Sequence, residues 1–304
     1  MKYIIFGNKG QLGKEFLKLL NSRNIECLGY DLPDYDICNY LFVSELIEVQ
    51  KPDVVINCAA YNNVDSAEYS FEEAYRTNVA GVEILAIVCE RNNVKFVHYS
   101  TDYVFDGIRK IPGFYSENDE TNPINTYGAT KLQGEKVALS KNPNSLIFRT
   151  SWLYGDGERN FINSVLKWAD ENEHIKIANN EFSIPTSTRL VADLTLKAIN
   201  NNLSGIYHLV NTGYASRLDW AKIIIEQYEK NVIIYPALTK DFPTLAKRPP
   251  FSVMSNEKIS TALQIEIPHW KTEFIEFVKN MKDLEKKKHP NLRQIRNETG
   301  IIEL

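Results

Sequence analysis

Residues 2–13 read Lys-Tyr-Ile-Ile-Phe-Gly-Asn-Lys-Gly-Gln-Leu-Gly, and this stretch decides the fold. Its first half is a short apolar run that ends at Gly7, which is typical of a buried parallel strand. Its second half adds Gly10 and Gly13, and apolar residues at helical spacing follow over 16–20. A strand, a glycine loop and a helix in this order predict a dinucleotide-binding turn, whose helix N-terminus offers amides to a pyrophosphate. The alternative is an ordinary strand-to-helix turn.

Strand and helix patterns alternate along the rest of the chain. Strands are predicted at 26–30, 53–58, 95–101, 144–150, 175–177, 206–210 and 232–235, and helices near 40–50, 65–92, 127–141, 160–171, 189–201 and 217–229. This order predicts an α/β fold, a Rossmann-type doubly wound parallel sheet with a smaller C-terminal substrate-binding domain. We expect the dinucleotide-binding domain over 1–155 with later segments returning to it, the substrate-binding domain mainly over 156–285, and a polar tail over 286–304.

Composition narrows the class of protein. The 304 residues carry a net charge of -4, which argues against a nucleic-acid partner. The sequence contains no run of 18 apolar residues, so we predict no membrane span. The start of the chain also lacks the layout of a signal peptide. The 4 cysteines form no CxxC pair, which favours a reducing cytoplasmic location, and the 5 histidines form no HExxH motif, so we predict no metal.

Tyr127 and Lys131 are the first candidate catalytic pair. Residues four apart lie on one face of a helix, so the lysine ammonium is expected beside the phenol. A neighbouring positive charge lowers the pKa of a tyrosine, which makes it a better acid at neutral pH. Thr101 ends a predicted strand, where a hydroxyl could share a substrate oxygen with Tyr127. A surface pair of Tyr and Lys is the alternative interpretation.

Two acidic positions bear on the coenzyme. Asp31 follows the second strand, where a carboxylate accepts hydrogen bonds from the adenosine ribose and repels a 2′-phosphate. Lys9 in the glycine loop could instead meet a 2′-phosphate, so the choice between NADH and NADPH stays open. Asp36 and Ile37 are predicted to flank the adenine, although Asp36 could equally be a helix cap.

Three further segments surround this predicted site. Ala59, Ala60 and Tyr61 end the third strand and are mostly small, as a strand end that passes close to a cofactor would need. Asn78 lies in a helical segment, where it could bond backbone carbonyls at a kink or face solvent. His98 is interpreted as a satisfied strand residue rather than as an acid or base.

Six motifs in order carry a resemblance to a known family. They are GNKGQLG (7–13), INCAAYNNVDSAE (56–68), YSTDYVFDG (99–107), NPINTYGATKLQGE (122–135), RTSWLYG (149–155) and AKRPPFSVMSNEKI (246–259). Over roughly residues 1–280 the chain resembles an extended short-chain dehydrogenase/reductase, most closely the dTDP-4-dehydrorhamnose reductase family.

The resemblance implies roles for particular residues. Tyr127 would protonate the sugar C4 oxygen, Lys131 would hold the nicotinamide ribose and lower the tyrosine pKa, and Thr101 would bind the carbonyl. The same resemblance implies cofactor contacts at Gly7, Gly10, Gln11, Leu12, Gly13, Asp31, Asp36, Ile37, Ala59, Ala60, Tyr61, Tyr127 and Lys131, and substrate contacts at Thr101, Asp102 and Trp152. An indole face suits a sugar ring. The implied partner is a nucleotide-sugar, and a homodimer is compatible with the sequence.

Two departures and two alternatives accompany the resemblance. The family pattern Asp-Gln-x-Gly-x-Pro-Thr here reads Asn-Glu-Phe-Ser-Ile-Pro-Thr over 180–186, which places Glu181 where a substrate-facing Gln is expected. The tail beyond about 285 is also additional. Glu15 could match one ligand of a bridging Mg²⁺ known in some members, but no partner ligands are identified. A related epimerase or dehydratase is one alternative, although a dehydratase would be expected to carry an acid/base pair after Thr101, where this chain has the single carboxylate of Asp102. A non-catalytic regulatory subunit of the same fold is the other alternative.

Overall fold

The computed structural model describes residues 1–109, 113–157 and 160–288. Its strands are β1 (Tyr3–Phe6), β2 (Cys27–Tyr30), β3 (Val54–Asn57), β4 (Lys95–Thr101), β5 (Leu146–Thr150), β6 (Leu153–Tyr154), β7 (His174–Ala178), β8 (Phe182–Ser183), β9 (Thr186–Ser187), β10 (Gly205–His208), β11 (Ala215–Ser216) and β12 (Ile233–Ala237). Six of them form a central sheet in the order β10-β5-β4-β3-β1-β2. Every neighbouring pair in this sheet is parallel. The predicted Rossmann-type sheet is confirmed.

Helices cover both faces of the central sheet. They are α1 (Gln11–Ser22), α2 (Tyr40–Gln50), α3 (Phe71–Tyr75), α4 (Gly81–Arg91), α5 (Thr126–Lys141), α6 (Phe161–Glu171), α7 (Thr188–Asn200), α8 (Arg217–Gln227), α9 (Glu257–Leu263) and α10 (Trp270–Lys288). Successive residues of β1 point to opposite faces, so Ile5 packs with Phe16 of α1 whereas Ile4 packs with Val43 of α2. Both faces of the strand are buried, which is why its sequence is continuously apolar.

The helical segment predicted over 65–92 is interrupted. A 3₁₀ turn at Ser66–Glu68 and the short α3 precede a π-helical turn at Arg76–Ala80, after which α4 completes the segment. Asn78 lies in the π-helical turn and is buried. Of the two interpretations of Asn78, a bond to a backbone carbonyl is confirmed by its contact with the Tyr61 carbonyl oxygen (3.0 Å), and solvent exposure is wrong.

Two helices near the end of the described chain have no counterpart among the sequence predictions. These are α9 and α10. The spacing of Trp270, Phe274 and Val278 is helical, and all three are buried in one hydrophobic cluster with Trp220 of α8. That periodicity was the available signal for α10.

The part of the chain after residue 155 contributes to two regions. It supplies β10 to the edge of the central sheet and α7 to the layer beside α1, and it also builds the hydrophobic cluster around Trp220. The predicted division at 155 and 285 remains a prediction. Of the predicted tail, 289–304 lies outside the described residues. Within the described ranges, no helix has the length and apolar character needed to cross a membrane.

Candidate active site

The glycine loop lies where the strand order of the sheet reverses. The chain places β2 on one side of β1, and β3 and β4 on the other side. In such sheets, ligands bind at this reversal point, at the carboxyl ends of the strands. A Cβ at Gly7 would come within 2.5 Å of the Ala59 backbone nitrogen, and one at Gly13 within 2.2 Å of the Gly7 carbonyl oxygen. Only glycine therefore allows the turn into α1 to lie so close to the end of β3.

A first cavity, called the loop cavity, extends from the glycine loop towards β2. It measures about 310 Å³ and its lining includes Gly7, Gly10, Asp31, Asp36, Ile37, Ala59 and Ala60. Seven of the predicted cofactor residues thus meet in one place. Tyr61 is not among the residues that line it; its backbone amide donates to Asn78 Oδ1 (2.9 Å) and its carbonyl accepts from Asn78 Nδ2 (3.0 Å).

Asp31 joins the end of β2 to the glycine loop. Its carboxylate accepts hydrogen bonds from the backbone amides of Lys9 (2.7 Å) and Leu32 (2.8 Å). The Lys9 ammonium donates to the Leu32 carbonyl oxygen (2.7 Å) and also lines the loop cavity. A carboxylate and an ammonium therefore both border this cavity, so the structure retains the two opposing signals for coenzyme choice.

Asp36 is not the cap of α2. That helix is capped by Asn39, whose side chain accepts from the Phe42 amide. Asp36 instead accepts from the Cys38 amide (2.8 Å) and forms an ion pair with Arg76. Burial raises the pKa of Asp36, but these hydrogen bonds and the Arg76 charge outweigh it and leave the pKa below its ordinary value. A fixed carboxylate–guanidinium pair thus forms one wall of the loop cavity.

A second cavity, called the tyrosine cavity, lies at the ends of β4 and β5. It measures about 300 Å³, and its lining includes Gln11, Leu12, Gly13, Thr101, Asp102, Tyr127, Lys131 and Trp152. Gly10, Cys58, Ala60 and Asn62 line both cavities, so the two cavities adjoin. The three predicted catalytic side chains therefore converge on one space beside the glycine loop.

The pKa of Tyr127 differs from the sequence prediction. Burial raises it to about 12, a hydrogen bond with Thr101 lowers it, and the charge of Asp102 raises it. Lys131 directs its ammonium to the carbonyl oxygen of Tyr99 (2.5 Å), an acceptor on β4 that helical spacing alone cannot reveal. The predicted lowering of the Tyr127 pKa by Lys131 is therefore wrong for this structure.

Lys131 and His98 are both buried, and their side chains lie next to each other. The Lys131 nitrogen lies 3.5 Å from His98 Nε2. Burial lowers the pKa of Lys131 to about 8, against a smaller opposing contribution from Glu135. Burial, followed by the charge of Lys131, holds the pKa of His98 well below its ordinary value. His98 is therefore a neutral strand residue, but it is in contact with a predicted catalytic group.

Asp102 is held by the C-terminal half of the chain. Its carboxylate accepts hydrogen bonds from Ser252 (2.5 Å), Ser183 (2.7 Å) and Thr101 (3.1 Å). Burial raises its pKa to about 6 in spite of these bonds. Asp102 thus links the end of β4 to two distant segments and also lines the tyrosine cavity, where the resemblance implies a substrate contact.

Trp152 lies between the tyrosine cavity and Arg217. The guanidinium carbon of Arg217 is 3.7 Å from the centre of the indole ring, and Arg217 Nε donates to Glu181 (3.3 Å). The Trp152 indole N–H is buried and has no hydrogen-bond acceptor among the described residues. The departure at Glu181 therefore reaches the tyrosine cavity indirectly, through Arg217 and Trp152.

Ser100 and Thr150, which the sequence predictions did not include, complete the site together with Asn78. Ser100 and Thr150 line the tyrosine cavity, and within the described chain their buried hydroxyls have no partner. Asn78 connects the Tyr61 backbone to Thr130 of α5 (3.2 Å). The strand-end position of Ser100 and Thr150 was the available signal, because residues there face the ligand crevice.

Glu15 lies outside both cavities. Burial raises its pKa, with Asp156 acting in the same direction and Lys18 and Arg189 opposing it. In the part of the chain that the structure describes, no group of three or more His, Cys, Asp or Glu side chains could hold a metal ion.

The fold and the two cavities define a class of protein. A glycine loop at the switch point of a parallel sheet, adjoining a cavity lined by Thr101, Tyr127 and Lys131, is the arrangement of a short-chain dehydrogenase/reductase.

Comparisons with known proteins identify the family. The profile of the RmlD substrate binding domain matches residues 1–283. The chain is similar to a dTDP-4-dehydrorhamnose reductase of Burkholderia thailandensis, with 35% identity over 292 residues, 89% of this chain and 96% of that protein. Among solved structures it is similar to a dTDP-4-dehydrorhamnose reductase of Clostridium acetobutylicum (37% identity, TM-score 0.89, 93% of this chain and 100% of that one). It is also similar to one of Bacillus anthracis in complex with NADP (33%, TM-score 0.88, 92% and 100%).

The chain therefore belongs to the RmlD substrate binding domain family. The family resemblance predicted from its motifs is confirmed.

Proposed function

We propose that the chain reduces the C4 keto group of a nucleotide-linked 4-keto-6-deoxysugar with NADPH or NADH, most specifically dTDP-4-dehydro-L-rhamnose to dTDP-L-rhamnose. The observation that carries the proposal is the convergence of Thr101, Tyr127 and Lys131 on one cavity beside the glycine loop. The identity of about 35% to proteins named dTDP-4-dehydrorhamnose reductase supports the choice of sugar.

The residues around the two cavities fit a dinucleotide. Gly7 and Gly13 carry no side chain, so a pyrophosphate can approach the backbone amides of the loop closely. The loop cavity beside Asp31 would then hold the adenosine. The hydroxyls of Ser100 and Thr150, which have no partner among the described residues, offer hydrogen bonds in the tyrosine cavity. When bound, the reduced nicotinamide coenzyme would supply the hydride.

The chain's own residues orient the carbonyl and supply the proton. Tyr127 is the proton donor in this proposal, because its hydroxyl lies in the tyrosine cavity beside Thr101 and a phenol carries its proton at neutral pH. The Thr101 hydroxyl lies within hydrogen-bond reach of Tyr127, so the two hydroxyls can share one carbonyl oxygen. Lys131, fixed by the Tyr99 carbonyl, stands one helical turn behind Tyr127 and would hold the coenzyme ribose. Thr101 and Lys131 are buried and Tyr127 is partly buried, which limits the access of water to the developing alkoxide.

The setting of the enzyme is part of the proposal. The substrate is a nucleotide-sugar, and neither nucleic acid nor membrane takes part. A cytoplasmic location is supported by the four cysteines, all of which are free thiols.

The proposal is tested by coenzyme oxidation at 340 nm with dTDP-4-dehydrorhamnose generated in situ from dTDP-glucose. We expect rapid oxidation of NADPH or NADH that depends on the keto-sugar. Absence of oxidation, when coenzyme binding is demonstrated separately by fluorescence, would contradict the proposal and favour the non-catalytic regulatory interpretation. Release of an epimerised or dehydrated sugar without net oxidation of coenzyme would instead favour an epimerase or dehydratase.

A further inference from the structure

Lys131 presents its nitrogen to an imidazole rather than to a carboxylate. The residue is 2% exposed, and its nitrogen contacts the Tyr99 carbonyl oxygen (2.5 Å) and His98 Nε2 (3.5 Å). Glu135 follows one turn later on α5, but both of its oxygens are bound by Arg149 (2.9 and 2.8 Å). Among the described residues Lys131 forms no ion pair. The side chain in direct contact with the amine is therefore His98.

Asn57 determines which nitrogen of His98 carries the proton. The Oδ1 atom of Asn57 accepts a hydrogen bond from the Ala59 backbone amide (3.0 Å), and this bond fixes the orientation of the side-chain amide. Its NH₂ group then faces His98 Nδ1 at 3.2 Å. Because an NH₂ group only donates, Nδ1 accepts, and the neutral ring carries its proton on Nε2.

The direction of this Nε2–H group has a consequence for Lys131. An ammonium has three donors and no acceptor, whereas a neutral amine has a lone pair that accepts from Nε2–H. The imidazole tautomer therefore disfavours the ammonium, and burial acts in the same direction. The other titratable groups that face the amine are the Cys58 thiol at the end of β3 and, on α5, Tyr127 and the Arg149-bound Glu135.

We propose that His98, held by Asn57 with its proton on Nε2, is a positioning residue that controls the protonation of Lys131. Lys131 is then an amine that gains and loses its proton within the working pH range, rather than a permanent cation. The consequence for the rate rests on the proposed reductase function. The tautomer of His98 and the titration of Lys131 do not, so they can be tested whether or not a keto-sugar is reduced.

The tautomer is measured directly on the unmodified protein. We would label the histidines with ¹⁵N, record two-bond ¹H–¹⁵N correlations between pH 6 and pH 9, and assign His98 from the spectrum of His98→Gln. The proposal expects a neutral ring with an unprotonated Nδ1 and a protonated Nε2 throughout this range. A proton on Nδ1, or a doubly protonated ring, would overturn it.

The substitution Asn57→Asp tests the effect on Lys131. The carboxylate keeps the bond to the Ala59 amide but accepts from Nδ1–H, so the imidazole proton moves and Nε2 becomes an acceptor for the ammonium. We expect the pKa of Lys131 to rise by about one unit or more. It would be read from the ¹³Cε lysine signal, assigned with Lys131→Met. The pH profile of keto-sugar reduction should move in the same direction.

A control distinguishes the effect of the imidazole on the Lys131 pKa from the effect of the added carboxylate charge. In the His98→Phe background the carboxylate of Asn57→Asp acts on Lys131 only through space, so the shift in Lys131 titration should be clearly smaller. An equal shift in both backgrounds, or no shift in Asn57→Asp alone, would refute control by His98. If either buried variant fails to fold, the tautomer of the unmodified protein decides the question. If Lys131 titrates and responds to Asn57→Asp as expected but no keto-sugar is reduced, the proposed function is removed and this inference stays intact.

Discussion

Replacement of Asp102 by Asn should change how stability depends on pH. The Asp102 carboxyl is 2% exposed, and burial raises its pKa from an ordinary value of 3.8 to about 6. Since the folded-state pKa is the higher one, the stabilisation from the protonated carboxyl is complete below about pH 4 and is lost as the pH rises through about 6. The full loss corresponds to about 3 kcal/mol. Roughly 1.5 kcal/mol of it falls between pH 5 and pH 8.

The assay is urea unfolding of both proteins at the two pH values. Between pH 5 and pH 8 the free energy of unfolding of the wild type should fall by roughly 1.5 kcal/mol more than that of Asp102→Asn, whose amide does not titrate. The hydroxyls of Ser183 and Ser252 can still bond the amide, so the variant should fold. Equal pH dependence of the two proteins would refute the reasoning.

Asp106→Asn is a matched control with the opposite sign. Hydrogen bonds from the Tyr115 hydroxyl (2.8 Å), the Ile108 amide and Asn122 outweigh burial and hold the Asp106 pKa below its ordinary value. Its ionised form therefore stabilises the fold above about pH 4. Asp106→Asn should be less stable than the wild type at pH 8, and this difference should shrink in acid.

Three further substitutions test other parts of the account. Tyr127→Phe should lower the rate of keto-sugar reduction by about 10²–10⁴-fold because the proton donor is lost. Coenzyme binding, measured by fluorescence, should persist. Unchanged turnover would show that another group donates the proton. Asp31→Ala should raise kcat/KM for NADPH relative to NADH, because a carboxylate that repels a 2′-phosphate is removed. An unaltered coenzyme ratio would remove Asp31 from the ribose site. Arg149→Met should cost about 3–5 kcal/mol in urea unfolding, because it leaves the buried Glu135 carboxylate unpaired. The double variant Glu135→Leu with Arg149→Met should recover much of that loss, and equal stability of the single and double variants would contradict this account.

Local patterns were sufficient to predict the central sheet and the position of the catalytic candidates. The apolar run before Gly7 reflects a strand buried on both faces, and the glycine spacing reflects a backbone contact with the end of β3. Helical spacing correctly predicted that Tyr127 and Lys131 share a face, since both line the tyrosine cavity. These features depend on residues that are close together in the sequence.

Contacts between distant residues could not be predicted in the same way. Asp102 is bound by Ser183 and Ser252, and nothing in the sequence near residue 102 indicates either serine. The raised pKa of Tyr127 follows from burial and from the charge of Asp102, and the attachment of Lys131 to the Tyr99 carbonyl oxygen is a separate product of tertiary packing. The sequence thus predicted the catalytic candidates but not the hydrogen bonds that set their protonation.

The most direct test of the central claim follows the hydride to its destination. Reduced coenzyme carrying deuterium at the transferred position of C4 would be incubated with dTDP-4-dehydrorhamnose and the protein, with Tyr127→Phe as the control. The product would then be analysed by NMR. We predict dTDP-rhamnose with deuterium on the sugar C4 carbon, and little product from the variant. A product without deuterium at that carbon, or no product while coenzyme is bound, would contradict the account.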